Sequence, residues 1–415
     1  MAYLRRTIDS ELDALLPLAP AIALDGPKGA GKTDTASRRA GTVWRLDDQG
    51  HRDLISADTA LADAGDGTIL LDEWQRLPAV WDMVRRAVDG GAPAGRFLLT
   101  GSATPRAGTH SHSGAGRILA LRMRPMGLHE RGVVEPAISV ADLLSSRARI
   151  EGTSDFTLAN YAEQIVASGF PGINRLPARL RRGQLDGYLQ RIVDRDLPDH
   201  GVSVRRPESL RRWLAAYAAA TSSTAAYNKL LDATTAGDGS QPAKTTTIAY
   251  RDHLTQLWLL DPVAGWSPSR RPLARLQQAP KHHLADPALA ARLLNLTEGT
   301  LLTPAGAALI GPLFESLVTL TVRVCAQAAE ARVGHLRTTN GDHEVDLVVE
   351  GIDGQVLGLE VKLAPHVDDA DVRHLHWLRR QLGSDVVDLA VITTGTRAYR
   401  RADGVAVIPL ALLGA

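Results

Sequence analysis

The sequence has a single cysteine, Cys325, in 415 residues. No disulfide can close within the chain, and a four-cysteine zinc site is excluded. A reducing cytoplasm is the expected compartment. Also lacking is an unbroken apolar run of the about 18 residues that a membrane helix needs. The nearest stretch, Leu301 to Ala329, is interrupted by Pro304, Pro312, Glu315 and Arg323, and the first residues, Met1 to Arg6, hold no apolar signal core. Neither secretion nor a membrane association is therefore expected. Lysine is scarce: six residues (Lys28, Lys32, Lys229, Lys244, Lys281 and Lys362) against 41 arginines. A lysine that persists in so arginine-biased a chain suggests a place where a compact ammonium does what a guanidinium cannot. The apolar fraction of 44% and charged fraction of 22% are those of a globular protein, which excludes a mainly disordered, collagenous or coiled-coil chain. The length suggests two or three domains.

A net charge of +1 conceals an asymmetry: Pro171 to Lys281 holds 17 Lys and Arg against 9 Asp and Glu. A basic middle between acidic flanks suits an anionic partner, and equally a set of solvated helix faces.

The first third reads as a nucleotide-binding unit. A helical pattern over Thr7 to Leu16 precedes a short apolar strand, Ala21 to Leu24, which runs into Gly26-Pro27-Lys28-Gly29-Ala30-Gly31-Lys32-Thr33. This is a complete G-x-x-x-x-G-K-T followed by a helix. Its glycines let backbone N–H groups turn towards phosphate oxygens, Lys32 reaches the outer phosphates and the Thr33 hydroxyl binds Mg²⁺. Forty residues after Lys32, the strand Thr68 to Leu71 delivers Asp72 and Glu73 to its end. Asp72 is expected to hold Mg²⁺ and Glu73 to polarise the attacking water. A third strand, Phe97 to Leu99, ends in Thr100-Gly101-Ser102, where Thr100 can sense the γ-phosphate, and Val80 to Val88 fits an intervening helix. Arg117, after a loop rich in Gly, Ser and His, is a candidate finger or sensor, with surface pairing as the alternative; Arg122 and Arg124 compete for the role.

The middle is helix-rich from Leu158 to Arg195, broken at Ser168 to Gly172. Helices then precede a Thr-, Gly- and Ser-rich gap (Thr234 to Thr247), a helix running to Leu260 and a short strand, Val263 to Trp266. That is the order of a winged helix-turn-helix, with a recognition helix near Thr246 to Leu257 offering Tyr250, Arg251 and His253. The same fold also serves as a protein-packing module.

The last hundred residues suggest a second site. A helix, Leu313 to Ala328, contains Glu315. Strands follow at Val333 to Thr338, Glu344 to Val349 and Val356 to Leu363, then a helix, Asp368 to Leu382, and a strand, Leu389 to Thr394. Asp346, then Glu360 and Lys362 two residues apart on one strand face, follow the order of PD-(D/E)XK nucleases. Asp346 and Glu360 would hold Mg²⁺, Glu315 would complete the acidic cluster and Lys362 would position water. The alternative is a retired fold whose acids merely pair with Lys362. Glu344 reads as a strand-face salt-bridge residue. Among the histidines, His110, His112, His282, His283, His374 and His376 lack partners at zinc-like spacing and read as surface or core residues.

Over nearly its whole length the chain resembles prokaryotic AAA+-like P-loop ATPases with a C-terminal domain of unknown function. The marks are Tyr3-Leu4-Arg5-Arg6, the P-loop, Leu70-Leu71-Asp72-Glu73, Leu98 to Ser102, Gly116-Arg117, Ser168-Gly169-Phe170-Pro171, Tyr188 to Asp196, Gly341 to Asp346 and Glu360-Val361-Lys362. The resemblance implies ATP binding, a winged-helix module and a restriction-endonuclease-like C-terminal fold. The chain departs from it in the Gly- and His-rich loop after Ser102 and in having no evident sensor-2 arginine.

The expected fold is α/β: a P-loop NTPase domain with a parallel sheet (1–135), a helical connector (136–207), a winged-helix-like domain (208–275) and a PD-(D/E)XK-like domain (276–415). The expected function is ATP binding and hydrolysis with Mg²⁺, acting on or with DNA. The alternative is an ATP-switched regulatory scaffold for a protein partner with an inactive nuclease-like domain. A homo-oligomer is expected if an arginine acts in trans.

Overall fold

The computed structural model describes residues 3–57, 65–102, 115–199, 206–234, 244–267, 278–338 and 341–415. The loop with His110 and His112, most of the 234–247 gap and residues 268–277 lie outside these. Five parallel strands form the first sheet: β1 (Ala21–Asp25), β2 (Thr42–Arg45), β3 (Ile69–Asp72), β4 (Phe97–Gly101) and β5 (Leu119–Arg122), in the order β2-β3-β4-β1-β5. The central strands β1, β3 and β4 are apolar runs buried on both faces, as helix-covered parallel strands must be. Because β4 lies between β1 and β3, Leu24 and Asp72 both register with Thr100. The P-loop, the two acids and Thr100 thus leave the sheet at one edge, the carboxyl ends of the strands, where ligands of open α/β sheets bind.

The middle is helical: Leu158–Ala167, Pro171–Asn174, Ala178–Arg191, a π-helical turn Ile192–Asp196, then Pro207–Ala219, Tyr227–Ala233 and Lys244–Gln256. Leu260 and Val263 pair antiparallel with Leu284 and Lys281. β6 (Ile138–Ser139) belongs to a small parallel pair completed by the last strand.

The second sheet holds β7 (Arg332–Arg337), β8 (Glu344–Glu350), β9 (Val356–Lys362), β10 (Val386–Thr393), β11 (Tyr399–Arg400) and β12 (Ala406–Pro409), ordered β11-β12-β10-β9-β8-β7. β7, β8 and β9 are antiparallel, whereas β10 is parallel to β9 and β12. β13 (Leu413–Gly414) returns to pair with β6, and the Ala411 N–H donates to the Tyr161 hydroxyl at 3.0 Å. The helix Ala307–Ala328 is long and apolar enough to cross a membrane, yet its Phe314, Leu317, Val318 and Val322 are fully buried in the core. One apolar core runs from Leu128 through this helix to Leu413. Residues on both sides of positions 135/136, 207/208 and 275/276 contribute to this core.

Candidate functional site

The P-loop is shaped by a close approach and a left-handed residue. A Cβ on Gly26 would lie 2.1 Å from the Met123 carbonyl oxygen, so only glycine fits there. Gly31 caps the helix Lys32–Ser37 with φ 103°, a left-handed conformation that side chains resist. Lys32, 5% exposed, folds back and donates from Nζ to the carbonyls of Gly26 (2.7 Å) and Pro27 (2.8 Å). Burial lowers its ammonium to about 8, against the pull of Glu73, Asp25 and Asp72. Burial likewise raises Asp25, at the end of β1, to about 6, against Lys32 and Arg122.

The Thr33 hydroxyl donates to Asp72 Oδ1 at 2.7 Å, and the Thr100 hydroxyl donates to the same oxygen. The Glu73 N–H reaches Thr100 Oγ1 at 3.4 Å. Glu73 itself sits in a left-handed conformation (φ 55°) that turns it off the end of β3. Its Oε2 accepts from Gln75 Nε2 and from Ser102 Oγ (3.1 Å). A hydroxyl and a carboxylate in contact beside the P-loop are the hard oxygen donors that Mg²⁺ takes, so the residues present fit that ion.

A cavity of about 490 Å³ opens against this row, within the roughly 300–1,000 Å³ range of small-molecule sites. Tyr3, Leu4 and Arg6 line one side, the P-loop and Glu73 the floor, and Pro171, Gly172 and Arg175 of the connector the far wall. Arg6 is buried and donates to the Ala30 carbonyl (2.7 Å), the Arg124 carbonyl (2.8 Å) and Glu130 (3.1 Å), fastening the chain start to the loop. The connector wall is fixed in turn: Ser168 Oγ (2.5 Å) and the Gly169 N–H (2.7 Å) both donate to buried Asp286. Lys28, a variable position of the motif, pairs with Asp196 of the π-helical turn at 2.5 Å.

Asp25, Gln75, Ser102, Arg175 and Asp196 are site residues that sequence reasoning does not single out. Ser102 and Asp196 do fall inside the motifs that carry the resemblance; Arg175, a cation on the cavity wall, has no signal.

Arg117 lies away from the P-loop of its own chain. β5 runs parallel to β1 with Asp25 opposite Arg122, so Arg117, which precedes the strand, lies at the sheet edge away from the P-loop. It pairs there with Asp89 at 2.9 Å. Arg122 and Arg124 leave the correct end but both bind Asp261, at 3.0 and 2.9 Å, joined by Arg323 at 2.9 Å.

Of the helix residues expected to face outward in the middle, Tyr250 is 5% exposed and packs in the core. Arg251 pairs with Asp252 and lies over the Tyr227 ring, and His253 meets Gln256. His282 and His283 are buried, and His376 pairs with Asp403 at 3.2 Å.

In the C-terminal sheet, Asp346, Glu315 and Glu344 converge, but on Lys281, whose Nζ lies 2.9, 2.9 and 3.5 Å from them. Glu360 is buried against Asp346, which raises its carboxyl well above the usual range, burial being the larger cause. Lys362, at the last position of β9, turns away to Asp371 at 3.5 Å. Among the described residues no group of three metal-binding side chains stands ready for an ion.

Residues 19–131 match the AAA domain family. Residues 158–300 and 310–413 each match a domain of unknown function, DUF8612 and DUF4143. Two relatives, uncharacterized protein Mb2031c of Mycobacterium bovis and uncharacterized protein Rv2008c of Mycobacterium tuberculosis, are each 29% identical over 421 residues, covering 98% of this chain and 83% of theirs. The Walker-type ATPase PABY2304 of Pyrococcus abyssi is similar over 70% of this chain and 96% of its own, at 13% identity and a TM-score of 0.41.

Proposed function

We propose that the chain is a Mg²⁺-dependent ATPase that acts on or with DNA. The observation that carries the ATPase reading is the hydrogen-bonded row Thr33–Asp72–Thr100 beside Lys32 and an open cavity. Thr33 and Asp72 would hold Mg²⁺, which when bound offsets charge on the β- and γ-phosphates. Lys32 exchanges its two loop carbonyls for phosphate oxygens. Glu73, oriented by Gln75 and Ser102, takes a proton from the attacking water. Thr100, bonded to both acidic positions, keeps base and metal ligand in register. Lys32→Ala is expected to abolish ATP binding or turnover; unchanged turnover in a folded variant would sink the reading.

The positive surplus between Pro171 and Lys281 supports DNA as the partner. Steady-state ATP hydrolysis with single-stranded, duplex and branched DNA at one low salt concentration tests it, with stimulation by one form expected. A second reading is favoured by the Lys28–Asp196 pair, which joins the P-loop to the connector. In it ATP switches the connector's position and so the binding of a protein partner. Turnover indifferent to every DNA form would favour this reading.

A further inference from the structure

The second carboxylate cluster invites the same fit test as the first, and the outcome is opposite. At the P-loop the acid Asp72 meets a neutral hydroxyl. In the C-terminal sheet the acids meet a resident cation. Lys281 is 1% exposed and held from its backbone, since its N–H and C=O both pair with Val263 at 2.9 and 3.0 Å. That antiparallel bridge aims its stem between helix Ala307–Ala328 and β8. Nζ donates to Glu315 Oε1 and Asp346 Oδ1, both at 2.9 Å, and lies 3.5 Å from Glu344. The second Asp346 oxygen is also taken, by the Val361 N–H at 2.9 Å. Both oxygens of the central acid are thus already committed. A divalent ion would need two or more of these carboxylates ionised and turned towards it. Here an ammonium already occupies the point on which they converge and offsets part of their charge. A guanidinium would not fit the convergence, because its planar fork cannot direct three bonds from one point as an ammonium can.

We propose that Lys281 is the built-in cation of this centre: its ammonium takes the place of the divalent ion that a nuclease-like site would hold, and the C-terminal domain therefore neither takes up that ion nor cleaves phosphodiesters. The proposal goes beyond the ATPase reading and does not rest on it. Lys281 lies too deep to touch a substrate phosphate, so its work is to close the acidic centre and to fasten residues 278–284 to helix Ala307–Ala328 and β8. Any contact of the full chain with DNA is then binding without cutting at this centre.

The test uses the full chain carrying Asp72→Asn, so that the P-loop contributes no metal site, with Mn²⁺ titration followed by electron paramagnetic resonance. With Lys281 intact, no saturable Mn²⁺ binding is expected. Lys281→Ala should gain one equivalent, and adding Asp346→Asn should abolish the gain. Mn²⁺ bound to the Lys281-containing chain and lost with Asp346→Asn overturns the proposal, as does a folded Lys281→Ala that gains none. Removing the ammonium leaves carboxylates uncompensated, so a second measurement uses the natural sequence. Under amine acylation read by mass spectrometry, exposed Lys229 and Lys244 should be modified while Lys281 stays protected, with and without Mn²⁺. Mn²⁺-dependent labelling of Lys281 also overturns it. So does Mn²⁺-dependent nicking of DNA by the natural sequence that Glu360→Gln removes. ATP turnover measured in the same natural preparation reports on the P-loop alone, so failure of either reading is told apart from failure of the other.

Discussion

The six lysines show how much chemistry can hang on single side chains. Four of them stand at special places: Lys28 on Asp196, Lys32 in the P-loop, Lys281 among three carboxylates and Lys362 on Asp371. Lys32 carries a testable consequence of its burial. Its ammonium is held near 8, so below that pH it is already charged and nucleotide affinity should be flat. Above it, binding an anion must first take up a proton, and affinity should fall by up to about tenfold per pH unit. Titration with a fluorescent ATP analogue between neutral and alkaline pH checks this, and a flat profile would mean that Lys32 does not meet the phosphates. Glu73 gives a second outcome. On the proposed role of Glu73 as the base, Glu73→Gln, which keeps the shape and the Ser102 contact, should lower kcat by roughly 10²–10⁴ with KM little changed. A drop in affinity instead would make Glu73 a binding residue.

At the scale of elements, the π-helical turn Ile192–Asp196 matters most. An extra residue in a helical turn rotates the chain beyond it, and such turns gather at functional sites. Here the turn carries Asp196, 8% exposed, to Lys28. The carboxylate competes with any phosphate for that ammonium, so Asp196→Asn should raise nucleotide affinity a few-fold, measured by the same titration. Unchanged affinity would show that Lys28 never contacts the nucleotide. The elements also show what a single sequence discloses. The strands β1, β3 and β4 announce themselves because both faces are buried and their apolar runs are nearly continuous, whereas β8 to β10 are legible as mostly buried apolar segments into which Glu344, Asp346, Glu360, Lys362 and Asp388 are set. The edge strands β2 and β5 are not legible: each buries little and alternates weakly. β12 is fully buried, but its apolar stretch runs on unbroken from Val405 to Leu413, so no alternation marks where the strand begins and ends. The P-loop row is legible because its spacing is set by local geometry. The far wall of the cavity is not, since Arg175 reaches it only through the packing of Ser168 on Asp286, 118 residues away. Lys362 shows the limit of strand alternation. It follows Glu360 by two residues, but β9 ends there, and a long stem at a strand end is free to join the next helix.

At the scale of the molecule, the parts are held together by buried charge as well as by the shared apolar core. Asp261, in the segment after helix Lys244–Gln256, accepts Arg122 and Arg124 from the end of the first sheet and Arg323 from helix Ala307–Ala328. Three guanidiniums on one carboxylate hold Asp261 well below the usual carboxylate range despite its burial. Arg122 also neighbours Asp25, so this hub abuts the end of the P-loop strand. Asp261→Asn would leave three buried cations short of a partner, and the expected loss is about 3–5 kcal/mol of stability. The pH dependence has a definite sign. The folded carboxyl is depressed, so its contribution is complete above the unfolded value near about 4 and is lost as pH falls through the lower folded value. Denaturant unfolding of the two proteins should therefore differ by a constant amount from pH 8 down to about 5, with the gap closing only below about 4. A gap that stayed constant into strong acid would mean that the carboxylate's charge is not what holds the hub. If ATP turnover in Asp261→Asn fell while the P-loop residues kept their nucleotide affinity, the hub would also be a route by which the middle of the chain acts on the hydrolytic step.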